Sequence, residues 1–423
     1  MKVEITPSEC FGSVHLPPSK SMSHRAIICA SLAKGRSIIS NVAFSDDILV
    51  TIAGMQQLGA HIETKDDQVI IDGGIDFASF ADNQDVFCKE SGSTLRFFIP
   101  IFSLTNKSVS FTGENRLLQR PQKVYEDLFH EKQLHYTQDA SCIRIQGSLQ
   151  PGAYSLAGDV SSQFISGLLF ALPLLKQDST IHIQAPYESR SYVDLTLQML
   201  AHYGIDVVYQ DPYTLYIKGN QTYQAADYTI EGDYSQAGFF AVLAAINNDL
   251  QITGLSHDSK QGDKQIIDIL KDFHVDVTPI PFGYEIKKSQ LSPATINLEN
   301  CPDLGPILNV LQMYTQKEST IINAGRLRLK ESDRILAMES ELQACGVNYS
   351  STPDTITIHG NPPYEATRQL SGHKDHRIVM ALAIAATCMK DKVMIDEAEY
   401  INKSYPTFFE DLASVGIEVR YVK

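Results

Sequence analysis

A chain of 423 residues exceeds the ~250 to 300 residues at which a single hydrophobic core stops growing, which excludes a small binding module and predicts at least two domains. Its 43% apolar and 20% charged residues, with 25 Gly and 18 Pro, exclude a disordered, fibrous or collagenous chain. A formal net charge of -15, from 35 basic against 50 acidic residues, would repel a phosphate backbone, so nucleic acid is not an expected partner.

Along the chain, a short β-branched run begins at Ser37, and the same kind of phrase returns at Ser108, Thr180, Leu250, Thr320 and Lys392 in steps of 70 to 72 residues. Self-similarity at a fixed step is the mark of a repeated unit. One family of helices precedes these phrases, predicted over 20–34, 91–105, 161–175, 233–246, 303–316 and 374–388, and their starts keep the same 70 to 72 residue step. Stretches such as AIICASLA, FISGLLFALPLL and IVMALAIAATC are apolar on most faces, which predicts burial. A second family of helices follows the phrases. Ser45 and Gly59 bound its first member, Pro121, Ser191, Ser332 and Pro406 mark other starts, and Gly204, Gly346 and Gly416 mark other stops, as capping preferences require. Two independent features keeping one step predict an α/β fold of six repeats of about 70 residues, each strand-helix-strand-helix-strand-strand, three per domain. An elongated solenoid would have simpler units of ~20 to 50 residues.

The seven cysteines are scattered, odd in number and never spaced as CxxC, so neither a disulfide framework nor a zinc site is expected. The longest apolar run, 378–389, falls short of the ~20 residues of a membrane span. The expectation is a soluble cytoplasmic protein with no membrane partner. No GxxxxGKS/T loop, GxGxxG turn, HExxH or EF-hand pattern occurs, so no metal and no cofactor is expected. The serines lack the GxSxG elbow of a hydrolase.

The first turns of the first helix family carry the informative residues: Lys20, Ser21 and Arg25; Gly92, Ser93 and Arg96; Ser161, Ser162 and Gln163; Asp375, His376 and Arg377. A cation at the positive end of a helix is unfavourable unless an anion lies nearby. Exposed N–H groups, small residues and a side-chain cation together suit a phosphate or carboxylate. For any one helix, a solvated surface charge is the better reading of these cations. Their recurrence predicts helix starts converging on a pocket for a small, highly anionic ligand. Arg120, Lys403, and Lys330, Glu331, Asp333 and Arg334 suit the same pocket, although the last group also has the spacing of a charged helix start with local ion pairs. Asp303 has the alternative of a helix cap.

Seven motifs in register resemble the EPSP synthase family of enolpyruvyl transferases: Pro-Ser-Lys-Ser-Met-Ser-His-Arg at 18–25, Ser-Gly-Ser-Thr-Leu-Arg at 91–96, Ser-Ser-Gln-Phe at 161–164, Glu-Gly-Asp-Tyr-Ser at 231–235, Lys-Glu-Ser-Asp-Arg at 330–334, Asp-His-Arg at 375–377 and Lys-Ser-Tyr-Pro at 403–406. The resemblance implies two domains, 1–17 with 232–423 and 18–231, with buried helices, sheets outside and an active site in the interdomain cleft. It implies transfer of the enolpyruvyl group of phosphoenolpyruvate to the 5-hydroxyl of shikimate 3-phosphate, releasing phosphate, a step of the shikimate pathway. By motif match, Lys20, Ser21, Arg25, Ser161, Ser162, Gln163, Ser189, Asp303 and Lys330 are expected to hold shikimate 3-phosphate. Lys20, Gly92, Arg120, Gln163, Arg334, Arg377 and Lys403 are expected to hold phosphoenolpyruvate. Asp303, Glu331 and Lys20 are the expected catalytic residues, Asp303 as base and Glu331 as acid. A monomer is expected.

Two departures accompany the resemblance. The loop that reads Asn-Ala-Gly-Thr in many relatives is Glu90-Ser91-Gly92-Ser93 here, and Arg326-Leu327-Arg328 stands where an Asn is usual. The rival of the same fold, UDP-N-acetylglucosamine enolpyruvyl transferase, has Lys-Asn where this chain has Lys20-Ser21, and a reactive Cys in the second repeat's loop, whereas no Cys lies between Cys88 and Cys142 here. A noncatalytic anion-binding relative would have no reason to keep both Asp303 and Glu331.

Overall fold

The computed structural model describes residues 1–422. The chain divides into two compact units, one made of Met1–Ser19 with the chain from Glu231 onward, the other of Lys20–Ile230. Each unit has its own hydrophobic core.

The first family of helices runs over Lys20–Leu32, Gly92–Ser103, Ser162–Ala171, Tyr234–Ile246, Gly305–Met313 and His376–Ala386. Nearly every side chain in them is buried, as sequences apolar on all faces require. Four of their starts are capped by a side chain. Ser91 accepts from the Thr94 amide at 3.2 Å, Ser161 from Gln163 at 3.3 Å, Asp233 from Ser235 at 2.8 Å, and Asp375 from Arg377 at 2.9 Å. Each cap satisfies an amide that would otherwise be orphaned at a buried helix end.

The second family runs over Asp46–Leu58, Lys123–Glu131, Arg190–His202, Ile266–Asp272, Arg334–Ala344 and Phe408–Ser414. Several starts differ from the sequence reading. Asp333, not Ser332, caps its helix by accepting from the Leu336 amide at 3.1 Å. The helix expected from Ser191 begins at Arg190, after Ser189 in a left-handed conformation (φ 52°), and Pro121 and Pro406 stand just before helices that begin at Lys123 and Phe408.

Among the described residues the strands form six sheets, five of four strands and one of three. In one, Gln84–Phe87 pairs parallel with Val109–Thr112, which pairs antiparallel with Cys142–Gln146, itself antiparallel to His135–Gln138. The sheets built on Ser179–Gln184 and Glu318–Ile322 repeat this order. Two others take their parallel strand from far along the chain: Tyr228–Thr229 pairs with Gly35–Ser40, and Ser13–His15 with Leu250–Thr253. In the three-stranded sheet, Lys2–Thr6 lies between Val393–Ile395 and Glu418–Val422. Sequence-distant strands thus complete each unit.

Two glycines set helix spacing near the functional residues. A Cβ at Gly167 would lie 2.3 Å from the Arg96 carbonyl oxygen, and one at Gly238 would lie 2.7 Å from Leu304 Cδ2. At Gly167 the obstacle is backbone, so without it these helices could not approach so closely, whereas at Gly238 it is the movable end of a side chain. Tyr125 locks the first of these pairs by donating to the carbonyls of Arg96 at 2.8 Å and Phe164 at 2.9 Å. No helix among the described residues is long and apolar enough to cross a membrane.

Candidate functional site

The unit of Lys20–Ile230 gathers one set of expected residues. Lys20 opens its helix and pairs with Asp47 at 2.7 Å. One turn further on, Arg25 donates to the Ser21 carbonyl at 2.7 Å, the Tyr192 carbonyl at 2.9 Å and the Thr196 hydroxyl at 2.8 Å. These bonds tie the first helix to Arg190–His202, whose N-cap is the buried Ser189. Burial lowers the Arg25 guanidinium to about 10, because its partners are carbonyls and a hydroxyl, with no carboxylate among them.

The close approach at Gly167 brings the helices Gly92–Ser103 and Ser162–Ala171 together. Arg96 donates to Gln163 Oε1 at 2.7 Å, and Gln163 Nε2 donates to the Ser93 hydroxyl at 3.0 Å. Ser161 caps this helix and Ser162 is buried in its first turn. Arg120 lies directly over Gly92: a Cβ there would be 2.7 Å from Arg120 Nη1 and 3.0 Å from its Cζ. Just before Ser91, Glu90 accepts from the Asn115 side-chain amide and Lys89 pairs with Asp46 at 2.7 Å.

The other unit holds the second set. Arg334 sits at its centre, 1% exposed, donating to Asp375 Oδ2 at 2.8 Å, to Asp303 Oδ1 at 3.3 Å and to Glu331 Oε2 at 3.1 Å. Lys330 reaches Asp303 Oδ1 at 3.2 Å, Arg377 reaches Asp303 Oδ2 at 3.0 Å, and Lys403 lies 3.9 Å from Glu331. Four cations therefore meet three carboxylates. Asp375 is fully buried while Asp303 is 22% exposed, so the cluster has a closed inner end and an accessible outer one. Burial would raise the Asp303 carboxyl, but Arg377, Lys330 and Arg334 outweigh it and hold the group well below the usual carboxylate range. Burial lowers the Lys330 ammonium to about 8, against the opposing pull of Asp303.

One carboxylate was missed by sequence reasoning, and the partner of another was not foreseen. Asp47 pairs with Lys20 across 27 residues, and no local pattern announces it. Asp375 was visible as part of a helix start, but its bond to Arg334, 41 residues away, was not. Both temper the picture of a purely positive pocket: Lys20 and Arg334 are matched by buried acids. Asp303 is not the N-cap of the following helix; it lies in the short helical turn Pro302–Leu304, with its carboxylate turned to the three cations.

The fold is that of the enolpyruvyl transferases. EPSP synthase from Acinetobacter baumannii superposes with a TM-score of 0.81 at 24% identity, covering 99% of this chain and 100% of that one. The enolpyruvyl transferase NikO from Streptomyces tendae superposes at 0.79 with 16% identity, covering 100% and 98%. Within that class, residues 6–412 match the model of the family EPSP synthase (3-phosphoshikimate 1-carboxyvinyltransferase), and the chain belongs to this family. Proteins named 3-phosphoshikimate 1-carboxyvinyltransferase from Clostridium perfringens and Clostridium kluyveri are 43% and 42% identical to it, covering 98% and 99% of this chain and 98% of each relative.

Proposed function

We propose that this protein transfers the enolpyruvyl group of phosphoenolpyruvate to the 5-hydroxyl of shikimate 3-phosphate, releasing inorganic phosphate, and that the two clusters serve this one substrate pair. The observation that carries the residue assignment is Asp303, held within 3.3 Å of Lys330, Arg334 and Arg377, with Glu331 on the same Arg334. Cations reduce the cost of bringing two anions together, and paired carboxylates move protons in opposite senses.

Lys20, Ser21, Arg25, Ser161, Ser162, Gln163 and Ser189, with Asp303 and Lys330, bind shikimate 3-phosphate in this reading. Lys20, Gly92, Arg120, Gln163, Arg334, Arg377 and Lys403 bind phosphoenolpyruvate. The 5-hydroxyl oxygen adds to the substituted carbon of the enol while Asp303 takes the hydroxyl proton and Glu331 delivers one to the methylene carbon. The tetrahedral adduct then loses phosphate and a methyl proton, restoring the double bond. Three cations make Asp303 a weak base in the ligand-free protein. Two anionic substrates drawing on the same cations raise its basicity on binding, so it gains strength when it is needed.

The same reading has the protein acting as a cytoplasmic monomer without metal, nucleotide or nucleic acid. The test is phosphate release from phosphoenolpyruvate by purified protein in the presence of a chelator. Release should require shikimate 3-phosphate; release with UDP-N-acetylglucosamine instead would reject the assignment. Sedimentation equilibrium checks the monomer.

A further inference from the structure

Outside the cluster described above, a second charged group surrounds the segment that leads into Asp375 and Arg377. Glu341 is 1% exposed and accepts five hydrogen bonds. Arg368 donates at 2.8 and 2.9 Å, His373 Nε2 at 2.8 Å, the Ser371 amide at 3.0 Å and the Ser340 hydroxyl at 3.1 Å. Three of these donors are side chains that could find water at the surface; the Ser371 amide belongs to the backbone of the segment itself.

That segment is held in an unusual form. His373 and Lys374 are consecutive left-handed residues, with φ of 51° and 53°, a conformation uncommon outside Gly and enriched only for Asn, Asp and His, so Lys374 is the costlier of the two. Such backbone persists only when its surroundings over-determine it. Here the Gly372 amide donates to Asp396 at 3.2 Å and the Lys374 amide to Glu397 at 2.9 Å on one side, while Glu341 takes the Ser371 amide on the other. The next residue, Asp375, caps the helix bearing Arg377.

Glu341 also shares the helix Arg334–Ala344 with Arg334. Seven residues apart, the two project from one face about 10.5 Å apart along the axis. Arg334 grips Asp375, and Glu341 grips Ser371 and His373. One rigid helix thus fastens the segment 371–375 at both ends.

We propose that Glu341 is a positioning residue: from outside the site it fixes the 371–375 segment, and thereby the placement of Asp375 and of the Arg377 guanidinium that meets Asp303. Glu341 itself touches no substrate. The inference rests on the functional reading above, which gives Arg334 and Arg377 to phosphoenolpyruvate.

The test is steady-state kinetics of Glu341→Gln, which keeps the size but offers an amide where Arg368 and His373 also point donors. The expected result is a rise of about tenfold in KM for phosphoenolpyruvate, with KM for shikimate 3-phosphate changed less than about twofold. A general loss of packing would not split the two constants. Unchanged KM for phosphoenolpyruvate, or equal rises in both, would overturn the proposal. His373→Asn provides a second variant that accepts left-handed backbone while removing the ring bond to Glu341. It should raise the same constant about threefold, and no change would likewise count against the proposal. Hydrogen exchange across 371–377 in ligand-free protein separates the two readings: absence of phosphate release by the wild type rejects the function, whereas exchange as slow in both variants as in the wild type rejects the clamp.

Discussion

Gly92→Ala isolates the contact with Arg120, a residue proposed above to bind phosphoenolpyruvate. The added Cβ would stand 2.7 Å from Arg120 Nη1, 3.0 Å from Cζ and 3.1 Å from Nη2. Ordinary contact begins near 3.4 Å, so the guanidinium must retreat by about 0.7 Å. The obstacle is the far end of a flexible side chain, so folding should change by less than about 1 kcal/mol. Ligand binding has no such freedom, because a charge-assisted bond contributes about 1.5 to 3 kcal/mol and weakens with displacement. KM for phosphoenolpyruvate should therefore rise about 10- to 100-fold, while KM for shikimate 3-phosphate stays within about twofold and the thermal midpoint within about 3 °C. Phosphate release against varied phosphoenolpyruvate, with the other substrate saturating, measures it. An unchanged KM would show that Arg120 does not bind this substrate where it now lies.

Asp303→Asn keeps the shape and removes the base; kcat should fall about 10²- to 10⁴-fold with both substrates still bound, and calorimetry showing binding lost along with turnover would contradict the assigned role. Arg25→Met removes a buried cation that has carbonyl and hydroxyl partners only; KM for shikimate 3-phosphate should rise about 10- to 100-fold, and an equal rise for phosphoenolpyruvate would misplace it. Lys330, lowered to about 8 by burial, is cationic below that pH and neutral above it, so kcat/KM for shikimate 3-phosphate should decline as pH rises through about 8, a limb absent in Lys330→Arg. Because the unfolded chain keeps this proton to higher pH, the same group makes folding more favourable as pH rises above about 8, the opposite sign to the loss of activity. Glu341, held at about 2 by His373, Arg368 and the Ser371 amide against the raising effect of burial, stabilises the fold above its unfolded value of 4.5 and loses that contribution as pH falls toward 2. In urea titrations Glu341→Gln should flatten this acid limb.

Much of the site was legible because its residues sit at helix starts, where caps and glycines punctuate the chain. Ser91, Ser161, Asp233 and Asp375 all cap the helices their neighbours predicted. Boundaries failed where several polar residues compete: Ser332 and Asp333 both suit a cap, and the carboxylate took the amide. What stayed hidden is long-range. Pairing of Ser13–His15 with Leu250–Thr253 and of Lys20 with Asp47 depends on how the backbone closes in space, and neither leaves a local periodic trace. The charge balance of the Arg334 cluster was hidden for the same reason: its cations and carboxylates were each visible as residue types, but their pairing is a product of packing.

The strand borrowing has a temporal side. The segment Lys20–Ile230 contains all three of its sheets and can finish as soon as it leaves the ribosome. Lys2–Thr6, by contrast, pairs with Glu418–Val422, so at ~5 to 20 residues per second it waits on the order of 20 to 80 s for its partner to be made. Throughout that interval it is a nascent strand with open edges, the kind of segment that invites aggregation. Newly made molecules therefore carry Lys2–Thr6 without this partner until Glu418–Val422 has been made.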